Sequence, residues 1–361
     1  MAEPMLKPPK IAISPVAWMR QNLFSNWQNS LLTLVVGYLV VTSAGPLFSW
    51  LFFEATFLGQ EPSDCTGTGA CWLFINERLN FFIYGFYPDE QQWRVDVMFL
   101  LLAVCFIPQF IERFPGRKWF GLFGLTGLPL VGVFLVPGGI LGLPVVQSSD
   151  WGGLMLTLIL AYIGIIASLP IGIVLALGRR SEMPIIRGIC VVFIEVWRAV
   201  PLITVLFMAS VMLPLFLPEG MNFEKLMRAL IGITLWQSAY MAEVIRGGLQ
   251  AIPRGQYEAA DALGLGYWKK TGLIILPQAL KMVIPGIVNT FISLFKDTTL
   301  VLIIGLFDIL GTVQSTITDP AWQNVAIEGY VFVAFCFWVF CFGISRYSQK
   351  LERKLDTGHK T

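Results

Sequence analysis

Histidine is almost missing from this chain: among 361 residues there is one, His359, in the polar tail. That argues against an imidazole-built metal site, a histidine proton relay and a Ser-His-Asp hydrolase. Charge is scarce as well. Asp, Glu, Lys and Arg make up 13% of the residues against 56% hydrophobic, which is too apolar for a soluble globule. The formal net charge is +2, and the basic residues sit scattered at the ends of apolar runs, so no nucleic-acid partner is expected. The chain has no Gly-x4-Gly-Lys-Ser/Thr loop and no zinc-spaced Cys/His set, so no catalytic residue, metal or bound cofactor is expected on it. No internal repeat or low-complexity segment is evident.

What the chain has in abundance is apolar length. A helix crossing the hydrocarbon core needs about 20 apolar residues. About eight such segments run near Leu31–Phe53, Val95–Ile111, Trp119–Leu141, Gly153–Leu177, Ile189–Leu217, Leu226–Gly247, Ile284–Phe307 and Ile327–Ile344. The expected fold class is all-α integral membrane. Ile189–Leu217 is longer than one crossing needs and contains Pro201 and Pro214, so a kink or split is expected there. No small-residue cleavage site follows the first run before the acidic loop, so it is read as a retained span.

Basic residues set the expected orientation. Lys7, Lys10 and Arg20 precede the first span; Arg113, Arg117 and Lys118, then Arg179, Arg180 and Arg187, lie between later spans; Arg346, Lys350, Arg353 and Lys354 follow the last. These belong on the cytoplasmic side. The loop from Glu54 to Arg94 carries Glu61, Asp64, Glu77, Asp89 and Glu90 against Arg78 and Arg94, and faces outward. Both termini are then cytoplasmic, and the segment around Glu258 falls on the same side.

Residues 258–277 read Glu258-Ala259-Ala260, then Gly264, Ile274, Leu276 and Pro277, with Asp261, Lys269 and Lys270 between them. So charged a stretch between two spans cannot face hydrocarbon and must offer a water-side surface to another molecule. The alanines and Leu263 favour a helix, with Glu258 placing negative charge in its first turn. Pro253 and Gly255 break the chain before it, and Gly264 with Gly266 allows a left-handed exit. Pro277 and Pro285 shape the entry to the next span.

The spacing EAA-x3-G-x9-I-x-L-P resembles that of the integral-membrane permease subunits of ATP-driven importers. Residues 195–202 (EVWRAVPL), 238–248 (SAYMAEVIRGG), 251–260 (AIPRGQYEAA) and 294–300 (LFKDTTL) resemble the hallmark stretches of polar amino acid permeases of the histidine/glutamine type. The likeness covers roughly Trp151 to Lys354. It implies a five-helix permease core at 151–361 with its coupling segment at 258–277. Residues 1–150 are then an extension of three transmembrane helices and an outer polar loop, similar to the M-type subunit of general L-amino acid transporters of Gram-negative bacteria. The resemblance further implies a bacterial inner-membrane location, a second related permease, a pair of ATPase subunits and a periplasmic solute-binding protein. ATP and magnesium would then be held by the ATPase. The alternative is a secondary transporter or channel for small polar solutes, which would leave the charged Glu258–Lys270 segment without a partner.

Polar residues inside spans are expensive in hydrocarbon and turn toward a cavity or a partner. Glu195 with Arg198, and Glu243 with Arg246, stand three apart on one helix face and can neutralise each other. An amino acid zwitterion needs a cationic and an anionic or acceptor-rich partner on its route. Lys296 offers the first, Glu243 or Asp297 the second, and Ser238, Tyr240, Thr298 and Thr299 offer hydroxyls. The third span is rich in small residues (Gly121, Gly124, Gly127, Gly132, Gly138, Gly139), which permit close helix approach in lipid. Cys105, Cys190, Cys336 and Cys341 read as small apolar residues of spans. Cys65 and Cys71, six apart in the outer loop near Gly67 and Gly69, are expected to form a disulfide.

Overall fold

The computed structural model describes residues 14–59, 61–65, 67–111, 114–139, 142–216, 218 and 223–355. Lys7, Lys10, Arg113 and His359 of the sequence reading, and the ends Leu141 and Leu217 of two expected spans, lie outside them. The chain divides into two compact units, Met1–Phe74 and Ile75–Thr361.

In the first unit, Ser14 caps α1 (Pro15–Asn22), and the Asn26 side chain accepts from the Asn29 amide at 2.7 Å to start α2 (Trp27–Phe48). A wide turn, Ser49–Phe53, prolongs α2, and no residue of α2 is buried. The loop after it is tied back on itself. Glu54 accepts hydrogen bonds from Ser49 Oγ (2.7 Å) and Thr68 Oγ1 (2.8 Å), and the Trp72 indole donates to the Leu51 carbonyl at 2.8 Å. Gly69 passes so close to Glu54 that a Cβ there would meet its carbonyl carbon at 2.2 Å. A disulfide joins Cys65 to Cys71, whose Cα atoms are 5.6 Å apart.

The second unit begins in α3 (Leu73–Tyr84) and continues through α4 (Trp93–Phe110), α5 (Arg117–Leu135) and α6 (Gly153–Arg179). Next come α7 (Pro184–Ala199), α8 (Leu202–Phe207), α9 (Leu213–Phe216) and α10 (Lys225–Ala251). The chain finishes with α11 (Arg254–Ala262), α12 (Tyr267–Lys270), α13 (Leu276–Met282), α14 (Ile284–Asp297), α15 (Ile309–Thr316) and α16 (Ala326–Leu355). The split expected at Pro201 is present: the helices on either side meet at 101°. Proline drives its predecessor out of the helical region, and Val200 is extended at φ −99°, ψ 129°.

Among the described residues six helices are long and apolar enough to cross a membrane, or seven counting the bent pair as one. The expected eighth, Leu226–Gly247, does form, as α10, but it is too polar to qualify on composition. Its polarity is tolerated because it is enclosed by helices. Leu230, Ile233 and Ala229 join Leu156, Leu160, Leu206 and Leu294 in one core, while Met241, Ala242 and Ile245 join Ala176, Ile194 and Ile275 in a second. Close contact with α6 requires Gly172, where a Cβ would sit 2.7 Å from Met241 Cγ.

The glycines of the third span divide by role. Gly124 lies against Cys105 of α4 and its carbonyl accepts from Tyr162 of α6, and Gly132 lies under Met98. Gly138 and Gly139, by contrast, follow the end of α5 and take positive φ in a loop. There Arg94, read as an outer-loop charge, is fully buried and donates to the Pro144 carbonyl at 3.0 Å. Cys105 and Cys190 are buried and Cys336 and Cys341 half-buried, all four as free thiols.

Candidate functional site

The segment at 254–277 folds as a bracket. Pro253 takes φ −59°, ψ 141°, caps α11 and lets the helix start at Arg254. Gly255 therefore lies inside the helix, and Glu258 lies in its second turn and not its first. The exit is left-handed as expected, with Gly264 at φ +69° and its amide donating to the Asp261 carbonyl at 2.9 Å. Nothing lies within 4 Å of where a Gly264 Cβ would be, so glycine is required there by conformation and not by space. Gly266, at φ −64°, ψ 163°, is ordinary extended backbone and starts α12. A wide turn, Thr271–Ile275, leads into α13, where Pro277 occupies the first turn.

One side of the bracket is fastened. Arg180 at the end of α6 donates to the Leu249 carbonyl (2.7 Å) and to Tyr257 Oη (3.1 Å), and its guanidinium lies 5.7 Å from the Tyr257 ring centre. Gln278 donates to Gln256 at 3.0 Å, and Lys270 pairs with Asp261 at 2.5 Å. Ala260 is buried, and Ile274 and Leu276 pack on the core around Ala176 and Met241. The other side is bare: Glu258 and Ala259 are exposed, as are Leu263 (74%) and Trp268 (78%). A stiff projection with a free carboxylate and two large apolar side chains is suited to docking. Tyr257 and Arg180 escaped the sequence reading, in which Arg180 was only a topology marker. An aromatic residue immediately before Glu258 was the available signal.

The charged residues of the spans pair differently from their spacing. Arg179 bridges Glu195 (2.8 Å) and Glu243 (3.1 Å), Arg198 reaches Glu243 at 3.6 Å, and Arg246 grips Glu243 with two nitrogens, the shortest contact being 2.7 Å. Glu243–Arg246 thus forms as its spacing suggests. Glu195 and Arg198 instead turn to partners on other helices, because α7 ends at the proline break and its last turn faces α6 and α10. Three arginines surround two glutamates, and both Glu243 oxygens are occupied.

The hydroxyl candidates separate in the same way. Ser238 and Thr298 are fully buried and donate to the carbonyls of Leu235 (2.7 Å) and Phe295 (2.8 Å). Thr299 donates to the Lys296 carbonyl at 3.0 Å. The Tyr240 ring is tilted against that of Trp236, centres 4.4 Å apart, and lies beside Arg198 at the break. Lys296 is exposed near the end of α14, Asp297 is half-buried, and no carboxylate among the described residues lies within 4 Å of the Lys296 ammonium. Lys296 and the α7–α10 cluster stand on different helices, and no ion pair links them among the described residues.

Residues 168–357, the stretch holding the bracket and the charge cluster, match the family described as "Binding-protein-dependent transport system inner membrane component". The chain is 55% identical, over 95% of its length and 94% of the other's, to the inner membrane amino-acid ABC transporter permease protein YhdY of Escherichia coli. It is 41% identical, over 98% and 96%, to the glutamate/glutamine/aspartate/asparagine transport system permease protein BztC of Rhodobacter capsulatus. Among solved structures, an amino acid ABC transporter with histidines aligns at 30% identity and a TM-score of 0.50, over 56% of this chain and 92% of that one. This chain belongs to the multi-pass inner-membrane permease components of binding-protein-dependent transport systems.

Proposed function

We propose that this permease serves an ATP-driven importer of L-amino acids, and that the Glu258–Pro277 bracket is where a separate ATPase subunit docks. The observation that carries the reading is the asymmetry of the bracket, fastened through Tyr257, Gln256 and Ala260 and bare at Glu258, Leu263 and Trp268. A partner pushing on the bare side would move α10 and α13 together, since Tyr257 is tied to Leu249 and Gln256 to Gln278. The relatives, an amino-acid permease of Escherichia coli and a glutamate/glutamine/aspartate/asparagine permease of Rhodobacter capsulatus, support amino acids as the cargo class.

On this reading ATP and magnesium act on the ATPase pair, a periplasmic binding protein delivers substrate, and a second related permease completes the pathway. Residues 151–361 form the permease core and 1–150 the extension, with both termini in the cytoplasm. Lys296 is the cation of the path, open to meet a substrate carboxylate, with Asp297 and Thr299 beside it. Reconstitution in liposomes with the ATPase and binding protein tests the proposal. Amino acid-loaded binding protein should stimulate ATP hydrolysis and uptake together. Uptake that proceeds without ATP would contradict it.

A further inference from the structure

Helix α16 carries an exposed stripe whose chemistry changes along its length. Phe335, Trp338 and Phe342 are 60, 57 and 46% exposed, and their rings stack in succession with centres 6.1 and 5.1 Å apart. Ile327, 64% exposed, extends the apolar part upward. From Ile327 to Phe342 it runs about 22 Å, longer than the roughly 15 Å of hydrocarbon in one leaflet. The same face then continues as Arg346, Gln349, Lys350 and Arg353, with Lys354 at its edge.

The two parts are joined. The Arg346 guanidinium sits 5.2 Å from the Phe342 ring centre, and Lys350 donates to the Phe110 carbonyl at the end of α4 at 2.9 Å. Arg346, Arg353 and Lys354 enter no ion pair among the described residues. Glu352, the acid nearest in sequence, is turned about 100° from Arg353 around the helix.

We propose that this stripe is a binding site for an anionic glycerophospholipid, with its acyl chain along the Phe335–Trp338–Phe342 ladder and its phosphate between Arg346 and Arg353. An aromatic ladder ending in unmatched cations fits a molecule that is itself a long apolar body with one anionic end. A free phosphate would use only the cations, and a zwitterionic lipid would leave their excess charge unmet.

Native mass spectrometry of the full-length chain in mild detergent tests the site, with dioleoylphosphatidylglycerol, dioleoylphosphatidylcholine and glycerol 3-phosphate as probes. Phosphatidylglycerol should be retained over phosphatidylcholine, with a loss of about fivefold for each of Arg346→Gln and Arg353→Gln. Trp338→Ala keeps every charge and should also weaken retention, while Arg346→Lys with Arg353→Lys should largely preserve it. Glycerol 3-phosphate should not compete. Equal retention of the two lipids, or unchanged retention in the Arg346→Gln/Arg353→Gln double variant, overturns the proposal. So does competition by glycerol 3-phosphate, which would make this a simple anion site. A disulfide from Trp338→Cys to a second permease chain in intact membranes would make the stripe a subunit interface, and overturns it as well.

Discussion

Helices α2 and α10 are of similar length and opposite character. The span built on α2, Trp27–Phe53, has a mean hydropathy of 1.9 and none of its residues is buried. Helix α10, 27 residues long, fails as a span on composition, yet it contributes to two cores among the described residues. Hydropathy thus reports what a helix shows to lipid and says little about what it packs against. An enclosed helix needs small residues for contact and partners for its charges, and α10 has both. Gly248 lies under the Ala279 carbonyl and Glu243 lies among three arginines.

The contrast is broken most severely at Glu243. Glu243→Ala leaves Arg179, Arg198 and Arg246 without their shared carboxylate and should cost about 3 kcal/mol of stability. Thr42→Ala on α2, where an exposed hydroxyl donates to the Tyr38 carbonyl at 2.8 Å, should change stability by less than about 0.5 kcal/mol. Thermal denaturation of the purified variants checks both.

Two acids outside the compared helices, Asp308 and Glu54, should respond oppositely to pH. Asp308 caps α15, accepts from the Gly311 amide at 2.9 Å and is fully buried, which pushes its carboxyl up to about 6. With the folded value above the unfolded one, the folded state holds the proton more tightly. Stability from this group is therefore full below about pH 4 and falls as pH rises through about 6, by about 2–3 kcal/mol in all. Asp308→Asn keeps the cap and should flatten that slope. Glu54, after α2, is held below its usual range by hydrogen bonds from Ser49 and Thr68. Its contribution is present at neutral pH and lost as pH falls through the folded value, so Glu54→Gln should act in the reverse direction. Melting curves from about pH 3 to 8 distinguish the two signs.

Gly248→Ala and Gly37→Ala sharpen the comparison with the same added methyl. At Gly248 the Cβ would meet Ala279 Oxygen at 2.6 Å, whereas at Gly37 nothing lies within 4 Å. The first should cost about 1–3 kcal/mol; the second should be neutral or slightly stabilising, by about 0.5 kcal/mol. Equal melting shifts would mean that α10 is not held by close contact.

Much of this was legible in sequence because lipid demands it. The apolar runs, the break at Pro201 and the left-handed exit at Gly264 all follow from local chemistry. Spacing misled where tertiary packing decides. Glu195 and Arg198 stand three apart, yet each turns to another helix, and Arg179 at a helix end becomes the bridge between two spans. The helix around Glu258 began one turn early because Pro253 acts as its cap and not as a break. Ser238 and Thr298 looked available as hydroxyls, but they back-bond to their own helices inside the packing. No periodicity distinguishes those two roles.

A modest stability effect bears most on function. Gly264→Val forces a β-branched residue to φ +69° and should cost about 1–2 kcal/mol locally. Assembly and binding-protein affinity should persist while uptake and ATPase stimulation fall together. Normal uptake in this variant would count against a role for the exit.

The docking claim is tested most directly by photo-crosslinking from the bare side of the bracket. A photoreactive residue at Leu263 or Trp268, 74 and 78% exposed, should couple this chain to the ATPase subunit in intact membranes. The same probe at the equally exposed Leu215 (79%) should not. Adducts to the ATPase from position 215 and none from 263 or 268 would contradict the account.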